Sequence, residues 1–94
     1  MSPAAFPVLR RLGDLQPIHQ PGMNRITEHK LRQLSDDDLL GTATNPADGE
    51  MIKARPGSNR VLDGNTRVIE MQRRMRDPLS KIKPDTLVPV IEDF

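Results

Sequence analysis

The chain contains no cysteine, tryptophan or tyrosine, and its only aromatic residues are two phenylalanines. Without cysteine it cannot form disulfides, zinc–thiolate sites or a thiol nucleophile. No apolar run reaches membrane-spanning length, and the first residues lack the apolar segment of a signal peptide. The core must therefore be built from Leu, Val, Ile and Met. With 35% hydrophobic residues in a chain of 94, we expect one small domain with a thin core.

Neither positive nor negative residues are in clear excess, because 14 Lys and Arg balance 13 Asp and Glu to give a net charge of +1. Net charge alone therefore does not indicate nucleic-acid binding. The distribution is more informative, since basic residues cluster after the midpoint: Arg60, Arg67, Arg73, Arg74, Arg76, Lys81 and Lys83. An acidic run covers Asp36 to Asp38. We expect this run to form the first turn of a helix capped by Ser35 rather than a metal site.

Two segments are expected from composition. Residues 1–24 hold four of the nine prolines and predict an extended, partly ordered arm. Residues 25–94 predict an α+β domain with a small mixed or antiparallel sheet. Its helices are expected at 27–34, 35–41 and 66–76, with Gly41 ending the second. Its strands are expected at 50–55, 60–63 and 86–91. Residues 56–59 are expected to form a type II-like turn that joins the first two strands as an antiparallel hairpin. Pro89 favours an edge position or a bulge.

The stretch around Gly64 organises the predicted domain. Arg60–Asp63 forms a short extended run, and Gly64 can take a positive φ before a helix. Asn65 or Thr66 can serve as the N-cap. Val68, Met71 and Met75 then fall on one helical face, which we expect to pack on the sheet. Glu70 precedes Arg73 and Arg74 by three and four residues, which predicts ion pairs on the exposed side of this helix.

This turn is also a candidate anion site. A helix N-terminus offers free N–H groups and a partial positive charge, and Arg67 can bind two phosphate oxygens. Asp63 could hold a metal ion or accept a proton. His19 could act as a general base or contact phosphate, because imidazole titrates near neutrality. The structural alternative is a simple joint in which Gly64 makes the turn and Arg67 is solvated.

The motif Asp63-Gly64-Asn65-Thr66-Arg67 resembles the signature of the ParB/sulfiredoxin superfamily, in which a strand leads into a helix opened by a glycine and an arginine. The segment Leu87-Val88-Pro89-Val90 resembles the strand that follows in the family. The chain also resembles the ParB-like C-terminal toxin domains of Rhs-type polymorphic toxins. This resemblance is carried by DGNTR and by QRRMRDP and IKPDT after it. Sulfiredoxins carry a reactive cysteine where Asn65 stands, so sulfinic acid reduction is excluded.

The resemblance implies a ParB/sulfiredoxin-like fold and a toxin domain used in interbacterial competition. It implies DNA binding and metal-dependent nuclease activity, with DNA preferred over RNA. Asp63, Arg67 and His19 are then the catalytic candidates, with Asp63 also the candidate ligand of a divalent metal such as Mg²⁺. The phosphate-binding candidates are Gly64, Asn65, Thr66, Arg60 and Arg74.

The expected partners are nucleic acid or a nucleotide and a cognate immunity protein, with no membrane. The chain would be part of a larger secreted parent and act in the cytoplasm of a target cell. Two alternatives stay open: a CTP- or ATP-binding module without cleavage, and a small interaction domain without catalysis.

Overall fold

A computed structural model describes residues 7–45 and 50–92 and has the predicted α+β class. Five strands and three α-helices follow one another along the described chain: β1 (Val8–Arg11), β2 (Gln16–Pro17), α1 (Arg25–Arg32), α2 (Asp36–Thr44), β3 (Ile52–Ala54), β4 (Arg60–Asp63), α3 (Asn65–Met75) and β5 (Leu87–Glu92). A short 3-10 turn, Leu12–Asp14, joins β1 to β2.

The sheet is mixed and has the strand order β1-β5-β3-β4-β2. Antiparallel pairing joins β1 to β5 and β3 to β4, whereas β5–β3 and β4–β2 are parallel. The predicted β3–β4 hairpin is confirmed. At its turn, Gly57 has a φ of 68° and the amide of Ser58 donates to the carbonyl of Arg55 at 3.0 Å. Proline followed by a positive-φ glycine is the chemistry of a type II turn.

The proline-rich segment contributes the strands at both edges of this sheet. β1 lies beside β5 and β2 beside β4. Between them, Leu12 and Leu15 are buried in the common core. Residues 8–17 therefore pack as part of the sheet, whereas residues 1–6 lie outside the part of the chain that the structure describes.

The predicted apolar face of α3 is confirmed. Val68 and Met71 are fully buried, and Met75 packs against the same cluster. Gln72 lies on this face as well, and its Nε2 donates to the carbonyls of Leu12 and Leu15 at 2.9 and 2.8 Å. This amide satisfies two carbonyls at the turn between the outer strands, so α3 is fastened to the N-terminal segment by polar as well as apolar contacts.

Helix α2 has the predicted N-cap but not the predicted end. The Ser35 hydroxyl accepts from the amide of Asp38 at 3.1 Å, as expected. Gly41, however, does not terminate the helix, which continues to Thr44. Gly41 does not take the positive φ of a C-cap glycine, and Ala43 beyond it is buried in the core. Burial of the extra turn outweighs the weak helix propensity of glycine.

Pro89 also departs from expectation, because β5 lies between β1 and β3 rather than at an edge. The pairing with β3 begins only at Val90, which faces Ile52. Pro89 therefore lies just before the doubly paired part of β5. A proline without an N–H is tolerated there because β3 does not extend alongside it.

Candidate functional site

The turn between β4 and α3 is built on Gly64. Its φ of 86° is left-handed, and the Asp63 carboxylate accepts a hydrogen bond from its amide at 2.9 Å. A Cβ at this position would lie 3.1 Å from both Ile52 Cγ1 and an Arg67 guanidinium nitrogen. Glycine is therefore favoured on two grounds, the backbone angle and the close approach of β3.

The start of α3 differs from the prediction in one respect: Gly64 is the N-cap, and no side chain caps the helix. The expectation that Asn65 or Thr66 would cap was wrong. Asn65 is instead the first helical residue and is buried, with 3% of its surface exposed. The amide groups of the first turn therefore have no side-chain cap to satisfy them, which is the condition under which a helix start can bind an anion.

Asn65 has a structural task in place of capping. Its Nδ2 donates to the carbonyl of Val61 at 3.2 Å, and its Oδ1 accepts from the amide of Ile18 at 2.8 Å. The side chain thus ties the end of β4 to the segment that follows β2. Since His19 is the next residue after Ile18, Asn65 positions His19 beside the start of α3.

A cleft of about 610 Å³ opens at this turn. It brings together six of the eight predicted site residues: His19, Asp63, Gly64, Asn65, Thr66 and Arg67. The remaining lining comes from other elements: Met23, Asn24, Thr27, Leu31, Thr42, Glu50 and Leu62. Nothing in the sequence marked the residues at the start of α1 and the end of α2 as part of a site, because they reach the cleft only through tertiary packing.

Arg67 lines this cleft and is half-buried rather than solvated. One guanidinium nitrogen donates to the carbonyl of Thr42 at 2.6 Å, near the C-terminal end of α2. Burial lowers the pKa of Arg67, while the charges of Asp63 and Glu50 act in the opposite direction. A guanidinium keeps its proton in either environment. Arg67 therefore presents a positive charge to the cleft from a fixed anchor point.

Two carboxylates share the cleft with Arg67. Asp63 and Glu50 both line it, and both are exposed. Within the described residues, no group of three or more His, Asp or Glu side chains is placed to hold a metal ion. Asp48, a further possible ligand in the sequence, lies outside the residues described. One or two carboxylates completed by phosphate oxygens and water are nevertheless a donor set that suits Mg²⁺.

The structure does not bring Arg74 to the cleft. Arg74 is buried near the other end of α3, where its guanidinium donates to Glu70 at 2.8 Å and to Asp36 at 3.0 Å. It also donates to the carbonyl of Leu31 at 3.0 Å. The prediction that Glu70 and Arg74 pair is confirmed, but their expected exposure is wrong. The pair is buried because α1 and α2 pack over this side of α3.

Arg60, the last of the predicted residues, lies outside the cleft as well. It lines a neighbouring cavity of about 450 Å³ with Ile18, Arg55 and Leu62. Leu62 contributes to both cavities.

Comparison with known proteins gives no relative from which to transfer a role. No family model matches the chain, and no curated protein or solved structure is significantly similar to it. In the described ranges, none of the helices has the length and apolar character needed to cross a membrane.

Proposed function

We propose that the cleft binds a phosphate group and that this chain is a ParB-like domain that cleaves nucleic acid, DNA in preference to RNA. One observation carries the proposal. The uncapped start of α3, the Arg67 guanidinium, the Asp63 carboxylate and the His19 imidazole all line a single cleft. Phosphodiester cleavage needs an anion site and a proton acceptor within reach of each other.

Each group has a role in this proposal. The first-turn amides and Arg67 hold the phosphate and stabilise the charge that develops on its oxygens. Asp63 or His19 accepts a proton from the attacking water. The new P–O bond forms as the bond to the leaving sugar oxygen breaks, and that oxygen takes up a proton.

A divalent cation such as Mg²⁺ fits the charge of the cleft. Asp63 and Glu50 together outweigh the single charge of Arg67, so a further cation would strengthen the attraction between the cleft and a phosphate. When bound, the cation would neutralise this charge and polarise the scissile phosphate. Asp63 and Glu50 are the residues that would hold it.

The motif extends this proposal to a biological setting. A ParB-like toxin domain of the Rhs type would be delivered on a larger secreted parent chain and act in the cytoplasm of a competing bacterium. A cognate immunity protein would neutralise it in the producing cell. Expression of the intact chain should then arrest a bacterial host, and co-expression of an immunity protein should restore growth. Harmless accumulation of the folded chain would contradict the toxin assignment.

Nucleotide binding without cleavage is the second candidate, and a specific observation favours it. Arg73 and Arg74 are engaged by Glu70, and Lys81 pairs with Asp37 at 3.2 Å. Much of the basic cluster is therefore neutralised within the fold instead of forming a stripe that could follow a polyanion. The cleft volume also lies within the range of small-ligand sites.

Activity assays separate the two candidates. The pure chain is incubated with plasmid DNA and with RNA, with and without Mg²⁺, and in parallel titrated with labelled CTP and ATP. Cleavage that requires Mg²⁺ supports the nuclease proposal, whereas nucleotide binding without cleavage supports the second candidate.

Arg67→Ala should reduce cleavage by about 100-fold or more. Arg11→Ala, an exposed arginine on the far edge strand, is the matched control.

Two results would overturn the assignment of the site. Wild-type activity or nucleotide binding in Arg67→Ala would show that the phosphate does not bind in this cleft. The absence of both cleavage and nucleotide binding in the folded wild-type chain would leave the third possibility, an interaction domain without catalysis.

A further inference from the structure

A second cavity lies directly beside the candidate cleft. It is formed by the side chains of Ile18, Arg55, Arg60 and Leu62. Ile18 and Leu62 are large apolar residues that remain 46% and 38% exposed. Arg55 and Arg60 face each other across the β3–β4 hairpin, where the amide of Arg55 donates to the carbonyl of Arg60 at 3.0 Å. The cavity thus combines an apolar floor, formed by Ile18 and Leu62, with two arginines whose backbones are neighbours on the hairpin.

These two arginines differ from the pair near the C-terminal end of α3. Arg73 and Arg74 are held by Glu70, whereas no acidic side chain of the described ranges forms an ion pair with Arg55 or Arg60. Both are exposed at the surface. Two unpaired positive charges beside an apolar surface give a site for a ligand that carries both an anionic group and a flat apolar group.

The second cavity adjoins the cleft at Leu62. Leu62 lines both, and Ile18 in the second cavity is followed by His19 in the first. Arg60 precedes Asp63 by three residues along β4, which corresponds to roughly 10 Å at the rise of an extended strand. A chain of nucleotides that places one phosphate at the start of α3 could therefore reach Arg60 with a following phosphate.

We infer that Ile18, Leu62, Arg55 and Arg60 form a subsite for the adjoining nucleotide of single-stranded nucleic acid bound in the cleft. The inference rests on the proposed function, because the cleft must hold the first phosphate. Arg55 and Arg60 bind the next phosphate, and the apolar floor contacts the base. An unstacked base exposes the face that such a surface can cover, whereas bases in a duplex are stacked on their neighbours.

The test is a binding series with 5′-labelled thymidine oligonucleotides of one, two and four residues, measured at several salt concentrations in EDTA, and again with Ca²⁺. The wild-type chain should bind the longer oligonucleotides about tenfold more tightly than the mononucleotide. The variant with Arg55→Ala and Arg60→Ala should lose this gain and keep the mononucleotide affinity. Its salt dependence should fall by about 0.7 per phosphate contact removed.

Matched controls separate the subsite from the cleft and from general charge. Arg11→Ala together with Lys83→Ala removes two positive charges elsewhere and should keep the gain with length. Leu62→Ala should weaken the longer oligonucleotides more than the mononucleotide. Circular dichroism establishes that each variant is folded, which is expected because both arginines are exposed.

The outcomes are distinct. Equal affinity for all lengths, with mononucleotide binding abolished by Arg67→Ala, would refute the subsite and leave the proposed function intact. Unchanged length dependence in the Arg55 and Arg60 variant would also refute it. Failure of the wild-type chain to bind any member of the series, with or without Ca²⁺, would overturn the phosphate site and the subsite together.

Discussion

Helix α3 carries Arg67 near its start and Arg74 near its end, and the surroundings of these two side chains differ. Arg74 is 8% exposed and donates to Glu70, to Asp36 and to a carbonyl of α1. Arg67 is half-buried and makes its hydrogen bond to the carbonyl of Thr42. In the first region the charges are paired within the fold. In the second, Arg67 is left facing an open cleft with its charge available to a ligand.

The difference shows how one helix serves two purposes. Its C-terminal half is fastened to α1 and α2 by the buried network, an ion-pair network of Asp36, Glu70, Arg73 and Arg74 in which Glu70 and Arg74 are buried and Arg73 reaches the surface. Its N-terminal turn is uncapped and borders the cleft. A charge that the fold uses for its own stability is not free to bind a ligand, so the candidate site is the end of the helix where pairing is incomplete.

The largest effect is expected from Glu70→Gln in the buried network. The change keeps the volume of the side chain but removes one of the two carboxylates that compensate Arg74, so the free energy of unfolding should fall by about 3 kcal/mol. Urea denaturation measures it. Asp37→Asn is the control, because Asp37 and Lys81 form a pair with side chains 73% and 72% exposed, for which we expect a change of at most about 0.5 kcal/mol. Equal effects would mean that the network does not support the fold.

The same network predicts loss of stability in acid. The backbone amide of Lys81, with Arg74 and Ser80, lowers the pKa of Asp36 from its ordinary value of 3.8. Burial would raise the pKa of Glu70, but hydrogen bonds from Arg73 and Arg74 outweigh it and lower the pKa from 4.5. Carboxyl groups with a lower pKa in the folded state stabilise it above these ordinary values, and the contribution is lost as pH falls through the folded pKa values.

Denaturation curves recorded from pH 7 to pH 2 test this pH dependence. The wild-type free energy of unfolding should begin to decline near the ordinary carboxyl values and continue downwards. Glu70→Gln should show a shallower decline because one of the two groups no longer titrates. A slope unchanged by this substitution would assign the acid sensitivity to other carboxylates.

An intermediate effect is expected from Gly64→Ala, and Gly57→Ala is its matched control. Both glycines have positive φ, 86° and 68°, so each alanine should cost about 1 kcal/mol through the backbone. Only at Gly64 would the new Cβ crowd Ile52 and Arg67, whereas nothing lies within 4 Å at Gly57. Gly64→Ala should therefore lose about 2 kcal/mol in total. Equal losses measured by thermal denaturation would argue against the close approach of β3.

The smallest effect on stability is expected from Arg67→Ala. Loss of the hydrogen bond to the Thr42 carbonyl should lower the free energy of unfolding by about 1 kcal/mol. Phosphate binding, by contrast, should be abolished. Chemical denaturation and ligand titration on the same preparation measure the two effects. A loss of stability as large as that of Glu70→Gln would mean that Arg67, like Arg74, serves mainly to stabilise the fold.

Local signals account for the parts of the fold that could be predicted. Proline and glycine at Pro56 and Gly57 set the hairpin turn, and the spacing of Val68 and Met71 gave the buried face of α3. Gly64 was recognisable because a strand and a helix met at a residue that can take positive φ. Each of these features depends on residues within one turn of each other.

The end of α2 could not be read in this way. Gly41 is typical of a helix terminus, but the helix passes through it because Ala43 is buried in the core beyond it. Asn65 likewise has the residue type of an N-cap, but its side chain is buried and forms hydrogen bonds with the amide of Ile18 and the carbonyl of Val61. In both places a contact with a residue distant in the chain outweighs a local preference.

The sequence by itself determined the α+β class, the strand–turn–helix at Gly64 and six of the thirteen residues that line the cleft. The turn and the residues next to it follow from short-range backbone and side-chain preferences. Only the tertiary structure decided which arginines are paired and which remain available. Glu70 and Arg74 are neighbours on one helix in either case, but α1 and α2 bury them. Arg55, Arg60 and Leu62 meet Ile18 only through the parallel pairing of β2 with β4. Burial and long-range pairing decide whether each arginine is paired within the fold or available to a ligand, and neither can be read from local sequence.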